Sequence, residues 1–318
     1  LSTMSMCFSE EKISAFIQNQ LSAGKTHYDE NMFFQALSEI EILDFYCSRF
    51  PAKSAVYEPR LGVGQANPEA SVRAMFPCDQ GEDFEIKVNI EVKTPRFPSL
   101  DECHDRSAIS TVLLTNEGRD KFQQLCESHG VMCVFPRVNK LVEFINSASK
   151  KFQEPKENEY NLLYINWSYS DFPSNSFLEA WSLLTNDFNG LLTHREIGPK
   201  LHLSEPLNPE AFSKITAIIV YTSSLDQLMS TDFRYVWQGT NPDVGQRFRM
   251  FVLDEKLRDA EISCNSKVLF TITGMRPSIL EPKSWKLLFN RNRNSNTIDD
   301  QLFCRQALDI INEYPLTF

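Results

Sequence analysis

Two glutamates and a lysine form the arrangement of residues in this sequence that is best suited to chemistry. Glu69 follows a proline at the start of one predicted strand, and Glu91 and Lys93 lie near the end of the next. Two carboxylates that face each other repel unless a positive charge lies between them. A hard divalent cation, Mg²⁺ or Mn²⁺, suits such an all-oxygen site. A nearby ammonium can orient a water molecule or stabilise charge on a phosphate.

The segment 84–93, FEIKVNIEVK, positions Glu91 and Lys93, because apolar and polar residues alternate along it without interruption. A period of two residues is the pattern of a strand with one buried face. The segment 70–77, ASVRAMFP, alternates in the same way. The two segments are separated by the short polar stretch CDQGE, and we therefore expect a hairpin.

The pairing of the two strands follows from the same alternation. A slip of one residue would place apolar side chains against polar ones, so the pattern selects one register. In that register Glu69 lies opposite Glu91, with Cβ atoms about 5 Å apart. The apolar pairs are Phe76 with Phe84, Ala74 with Ile86, and Val72 with Val88.

The order of elements around the hairpin predicts an α/β fold, in which a mixed sheet is covered by helices. Helices are expected at 9–21, 33–49, 115–129, 138–152, within 176–187 and at 299–313. Strands are expected at 54–61, 70–77, 83–94, 131–135, 161–169 and 215–223. The second half of the chain is less regular. We therefore place a core in residues 1–170, and treat 171–318 as a C-terminal extension of the same sheet or an accessory α/β region.

Pro68-Glu69 followed by Glu91-Val92-Lys93 resembles the bipartite motif of the PD-(D/E)xK nuclease superfamily. Glu69 stands where that family usually has aspartate. The resemblance covers roughly residues 33–170. It implies a restriction-endonuclease-like core, hydrolysis of DNA phosphodiester bonds, and Mg²⁺ or Mn²⁺ as the cofactor.

The resemblance also implies roles for individual residues. By motif match, Glu69 and Glu91 would be metal ligands and Lys93 the catalytic lysine. Many members carry another carboxylate on the first helix, for which Glu39 and Glu41 are both candidates. Glu58, on the first predicted strand, is a further candidate ligand.

The formal net charge of −10 disfavours a general nucleic-acid coat, because phosphate affinity comes mainly from Lys and Arg. A local basic segment could still bind DNA. Four basic residues, with Trp285 and Phe289 among them, suit phosphate contacts and base stacking. The alternative is a solvated loop whose aromatic residues are buried. The four basic residues are Lys283, Lys286, Arg291 and Arg293. A second basic cluster, at Lys150, Lys151 and Lys156, is interpreted as a solvated helix end.

Two alternatives to a nuclease remain open. One is a catalytically silent protein of the same fold, acting as a binding module or subunit in a defence or mobile-element system; the net charge and the Glu69 exchange favour it. The other is an enzyme of unrelated fold, in which the hairpin is only scaffold. The absence of a long apolar segment and the scattered cysteines predict a cytoplasmic protein without membrane contact. A homodimer is one possible assembly.

Overall fold

The computed structural model describes the helices and strands that surround the predicted hairpin. The described residues are 8–21, 29–49, 55–61, 66–76, 83–95, 108–110, 114–168, 173–185, 190–193, 205–223, 248–253, 273, 288–290 and 300–314. Within these segments, no helix combines the length and the apolar character that a membrane span requires.

The described elements include every helix and strand expected above, together with four further short elements (211–214, 108–110, 248–252 and 288–290). The helices are α1 (Glu10–Asn19), α2 (Glu30–Arg49), α3 (Asn116–Ser128), α4 (Val138–Lys151), α5 (Pro173–Thr185), α6 (Ala211–Lys214) and α7 (Asp300–Glu313). The strands are β1 (Val56–Tyr57), β2 (Ala70–Phe76), β3 (Phe84–Lys93), β4 (Ala108–Ser110), β5 (Met132–Val134), β6 (Glu159–Asn166), β7 (Ala217–Tyr221), β8 (Phe248–Val252) and β9 (Leu288–Asn290).

Local signals in the sequence set several of the helix ends. The Ser9 hydroxyl accepts a hydrogen bond from the backbone N–H of Lys12 at the start of α1. Thr115 caps α3 in the same way through the N–H of Gly118. Gly130, which has a φ of 64°, follows the end of α3 and adopts a left-handed conformation that glycine accepts readily.

The chain divides into two compact units, each assembled from three separate stretches. Unit 1 comprises Leu1–Arg96, Val142–Ser168 and Leu207–Ile279, and unit 2 comprises Phe97–Leu141, Tyr169–Pro206 and Leu280–Phe318. The chain therefore passes from one unit to the other at several points, and the boundary expected near residue 170 corresponds to one of them. The physical reason is that parallel strands need long crossover connections. The connections from β3 to β6 and from β6 to β7 carry the first two stretches of unit 2, and the third stretch follows β8.

Unit 1 contains a six-stranded mixed sheet in the order β1-β2-β3-β6-β7-β8. Strands β3, β6 and β7 run parallel to one another, while β1, β2 and β8 pair antiparallel with their neighbours. The expected α/β class is thus confirmed. Strands β7 and β8, from the second half of the chain, belong to the same sheet as the hairpin.

The register of the predicted hairpin is confirmed. Val72 pairs with Val88 and Ala70 pairs with Ile90, so the antiparallel ladder continued by one residue places Glu69 opposite Glu91. The side chains of Ile86, Val88, Ile90 and Val92 in β3 are buried, with Phe84 partly buried against them. They form a core with Ile42, Phe45 and Tyr46 of α2 and with the matching faces of β2, β6, β7 and β8.

Unit 2 contains a smaller sheet, of three strands in the order β5-β4-β9. The order of elements predicts a mixed sheet that includes 131–135, and this prediction is wrong: β5 pairs parallel with β4 instead. Period-two patterns do not reveal which sheet a short apolar strand joins. Two helices of this unit, α3 and α7, share an apolar cluster that includes Phe122 and Phe303.

Candidate functional site

The predicted site residues of the hairpin lie together in unit 1. Glu91 and Lys93 occupy the carboxyl-terminal end of β3, where it runs parallel to β6 and pairs Glu91 with Leu163. In open α/β sheets, ligands commonly bind at this end of the strands. Lys93 Nζ is 2.7 Å from Glu91 Oε1. The carboxylate of Glu91 is fully buried, so its charge depends on such partners.

A second lysine, Lys151, contacts both predicted carboxylates. Its Nζ lies 2.8 Å from Glu91 Oε1 and 3.5 Å from Glu69 Oε1. Burial alone would lower the pKa of Lys151, but Glu91 and Glu69 outweigh that effect and the pKa is raised. Glu69 and Glu91 therefore lie on the same side of the hairpin, with a positive charge in contact with both.

Lys151 corrects the interpretation of the second basic cluster. Lys150 and Lys156 are exposed, as expected of a solvated helix end, but the side chain of Lys151 is only 20% exposed. The helical period of the sequence could have shown that Lys151 lies on a different face of the helix from Lys150. Lys151 falls three residues after buried Ala148, whereas Lys150 falls seven residues after exposed Glu143.

Glu39 is the carboxylate that α2 contributes. It is 2% exposed, and Oε1 accepts a hydrogen bond of 3.1 Å from Gln35 Nε2. The pKa of Glu39 is raised to about 7, mainly by burial and in addition by the negative charge of Glu91. The hydrogen bond from Gln35 and the charges of Lys151 and Lys93 limit this rise. Burial and the charges of Glu39 and Glu91 likewise hold the pKa of Glu69 well above its usual value. Glu39, Glu69 and Glu91 thus form one electrostatically coupled group.

The other two candidate ligands occupy different surroundings. Glu41 Oε1 accepts a hydrogen bond of 2.9 Å from the Ser223 hydroxyl, so α2 directs Glu41 towards the end of β7. Glu58 is exposed and lies beside Glu69 through its backbone N–H, which donates to the Glu69 carbonyl oxygen at 2.9 Å. Burial raises the pKa of Tyr57, and Glu39, Glu69 and Glu58 raise it further. Tyr57 therefore feels the negative charge of the group.

A buried polar network holds α2 against the ends of β6 and β7. Asn166, fully buried, donates from Nδ2 to Ser38 Oγ at 2.9 Å and to the Ser223 carbonyl oxygen at 3.1 Å. Its Oδ1 accepts from the Ser168 hydroxyl at 2.7 Å and from the Ser223 backbone N–H at 3.0 Å. Since Ser38 precedes Glu39, this network positions the α2 carboxylate.

A second polar group lies on the same face of β3, towards its amino-terminal end. Lys87 Nζ donates to Glu159 Oε1 at 2.6 Å, and Asn89 Nδ2 donates to the same oxygen at 2.8 Å. Burial alone would raise the pKa of Glu159, but the hydrogen bonds from Lys87 and Asn89 outweigh it and lower the pKa. The ion pair of Lys87 and Glu159 ties β3 to the start of β6, so it stabilises the sheet.

The predicted DNA-contacting residues lie outside the described part of the chain. They are Lys283, Lys286, Arg291 and Arg293.

The carboxylates have the chemistry that a divalent cation requires. In the present arrangement, Glu69 and Glu91 form ion pairs with Lys151. Oxygen ligands suit Mg²⁺. Oε2 of Glu91 and Oε2 of Glu39 are buried and accept no hydrogen bond from any described group. Glu91 Oε1 has two ammonium groups at ion-pair distance, but neither approaches with good hydrogen-bond geometry. In the described part of the chain, no three acidic, histidine or cysteine side chains are placed so that they could hold a metal ion together.

Comparison with known proteins identifies no relative. No protein-family model, curated protein or solved structure matches this chain. The geometry of the site is therefore the basis for any functional conclusion.

Proposed function

We propose that this chain is a divalent-cation-dependent nuclease that hydrolyses DNA phosphodiester bonds. In this proposal the six-stranded sheet of unit 1 is a restriction-endonuclease-like core. The observation that carries the proposal is the convergence of Glu69 and Glu91 on one ammonium group, with Lys93 on the same carboxylate. The hairpin register that the motif resemblance requires is also the register observed.

Each side chain has a role that its surroundings favour. Glu69 and Glu91 would hold Mg²⁺ or Mn²⁺, and Glu39 would be a third acidic partner. When bound, the cation would lower the pKa of a water molecule and neutralise phosphate charge. Hydrolysis adds the water oxygen to phosphorus and breaks one P–O ester bond, whose oxygen leaves with a proton. Lys93, only 16% exposed, would donate hydrogen bonds to the attacking water or to the phosphate.

The surroundings of the carboxylates support a cation-dependent site. Burial and neighbouring negative charges raise the pKa of both Glu39 and Glu69, so ionising these carboxylates in the folded protein costs stability. Groups with strongly perturbed pKa values cluster at functional sites. For DNA contacts, the net charge of −10 requires a local basic surface, and we assign that role to the segment containing Lys283 and Arg293.

The decisive test is cleavage of single-stranded, double-stranded and branched DNA with Mg²⁺ or Mn²⁺. The wild type should cut at least one substrate, and EDTA should abolish the reaction. Mg²⁺ or Mn²⁺ should also raise the Tm of the wild type, because a ligand of the folded state stabilises it, and Glu91→Gln should remove both the cleavage and that rise. Glu85→Gln is the matched control, because Glu85 lies on the same face of β3 but pairs with Arg73 in an exposed salt bridge. Cleavage by Glu91→Gln at the wild-type rate would refute the assignment.

One observation favours a second candidate, a catalytically silent binding module of the same fold. Two lysines already neutralise Glu91, and among the described residues no assembled group of metal ligands is present. A silent module would bind no divalent cation at Glu91 and would cut none of the three substrates. The same assay therefore separates the two candidates.

A further inference from the structure

The ammonium group of Lys151 lies where it links both carboxylates of the candidate site. Its Nζ is within ion-pair distance of Oε1 of Glu91 and Oε1 of Glu69, at 2.8 Å and 3.5 Å. We propose that Lys151 is an internal cation, which a divalent metal ion must displace before Glu69 and Glu91 can bind that ion together. This inference rests on the proposed function, because it takes the two glutamates to be metal ligands.

Competition follows from the place that Lys151 occupies. A divalent ion held by both carboxylates would need to lie between them, where Lys151 Nζ is already 2.8 Å from Glu91 Oε1 and 3.5 Å from Glu69 Oε1. A divalent ion and an ammonium group at such short separations repel strongly, particularly beside a carboxylate that is fully buried. The two cations therefore cannot share the site in the present arrangement.

Lys151 is the lysine that can leave. It is the last residue of α4, and its side chain is 20% exposed, so the ammonium group can turn towards solvent without breaking the helix. Lys93 differs, because it extends from the same strand as Glu91 and, within the described segments, forms its ion pair with Glu91 only. Displacing Lys151 leaves Lys93 beside Glu91 for the role proposed above.

The way Glu91 is neutralised agrees with this exchange. Both ammonium groups contact Oε1, while Oε2 accepts no hydrogen bond from the described residues. One carboxylate thus has two monovalent partners, which a single divalent ion could replace in part.

The test measures Mn²⁺ binding by the full chain, using the electron paramagnetic resonance signal of free Mn²⁺ to obtain Kd. Lys151→Met removes the charge and keeps most of the side-chain volume. Lys150→Met is the matched control, since it makes the same charge change at the exposed neighbouring residue. We expect Lys151→Met to bind Mn²⁺ at least about tenfold more tightly than the wild type, because the competing charge is gone. Lys150→Met should stay within about twofold, as expected for a screened surface charge.

The outcomes separate this inference from the proposed function. If wild type and Lys151→Met bind Mn²⁺ equally, or the variant binds more weakly, while Glu91→Gln binds none, Lys151 does not compete and only the inference fails. If no form binds Mn²⁺, the proposed function fails and the inference fails with it.

A measurement on the wild type covers the case in which Lys151→Met does not fold. In protein with ¹⁵N-labelled lysine side chains, an ammonium group held in a buried ion pair exchanges its protons slowly enough to be observed. Addition of diamagnetic Mg²⁺ should remove the Lys151 signal or shift it to that of a solvated lysine. A Lys151 signal unchanged at saturating Mg²⁺ would overturn the inference.

Discussion

Glu39→Gln should stabilise the metal-free protein at pH 8 and have little effect at pH 5. The carboxyl of Glu39 is 2% exposed, and its pKa is raised from 4.5 to about 7 in the folded protein, first by burial and then by Glu91. The folded state therefore binds a proton more tightly than the unfolded chain. Between these two pKa values the unfolded carboxyl is ionised while the folded one is still protonated. Stability consequently falls as the pH rises from 4.5 to about 7, and stays lower above that range.

The size of the effect follows from the shift. One pKa unit corresponds to about 1.4 kcal/mol, so the rise from 4.5 to about 7 costs about 3 kcal/mol at pH 8. Glutamine cannot ionise and retains an oxygen that can accept the hydrogen bond from Gln35. For a domain of 150–250 residues this gain would raise Tm by roughly 6–12 °C.

The assay is urea unfolding in EDTA at pH 5 and pH 8, with the free energy of unfolding compared between variant and wild type. Glu85→Gln, which changes an exposed carboxylate of the same strand, should alter the free energy by less than about 0.5 kcal/mol at both pH values. A Glu39→Gln variant that is less stable than the wild type at pH 8, or equally stabilised at both pH values, would refute the reasoning.

Three other substitutions test the site and its supports. Lys93→Ala should keep the wild-type fold, because it ends β3 on the polar face, yet reduce DNA cleavage about 100-fold or more; full activity with an unchanged Tm would remove Lys93 from the mechanism. Glu159→Gln should cost about 1 kcal/mol at pH 7, since its pKa is lowered and it loses the charged hydrogen bond from Lys87. That cost should shrink as the pH falls below 4.5, because the wild-type carboxyl then takes up a proton. The pH dependence is therefore opposite in sign to that expected for Glu39, and a cost independent of pH would contradict this prediction. Asn166→Ala should lower the free energy of unfolding by about 2–4 kcal/mol, as it removes hydrogen bonds from a fully buried network; a loss below 0.5 kcal/mol would show that the network does not hold α2.

Much of the local structure follows from neighbouring residues alone. Alternation along 84–93 predicts β3 and its register with β2, because only one alignment places all the apolar residues on the same face. The helices α1, α3 and α4 begin and end within about two residues of their predicted bounds. Such features depend on periodicity and on capping residues, which a sequence displays directly.

The choice between candidate carboxylates needed the path of the backbone. Glu39 and Glu41 are equivalent candidates in sequence, yet two residues along a helix are about 200° apart around its axis. The orientation of α2 then decides that Glu39 couples to Glu91 while Glu41 bonds to Ser223. The membership of β5 in the smaller sheet was decided in the same way, by pairing with β4.

By itself, the sequence determined the hairpin, its register and the opposition of Glu69 and Glu91, because these depend on residues close together in the chain. Only the tertiary structure decided that Lys151, far along the chain from Glu91, supplies the positive charge between them. A lysine at a helix end normally lies in water, because removing its charge from water is costly without a partner. Two buried carboxylates reverse that preference, and they come within reach of Lys151 only when α4 is packed beside the hairpin.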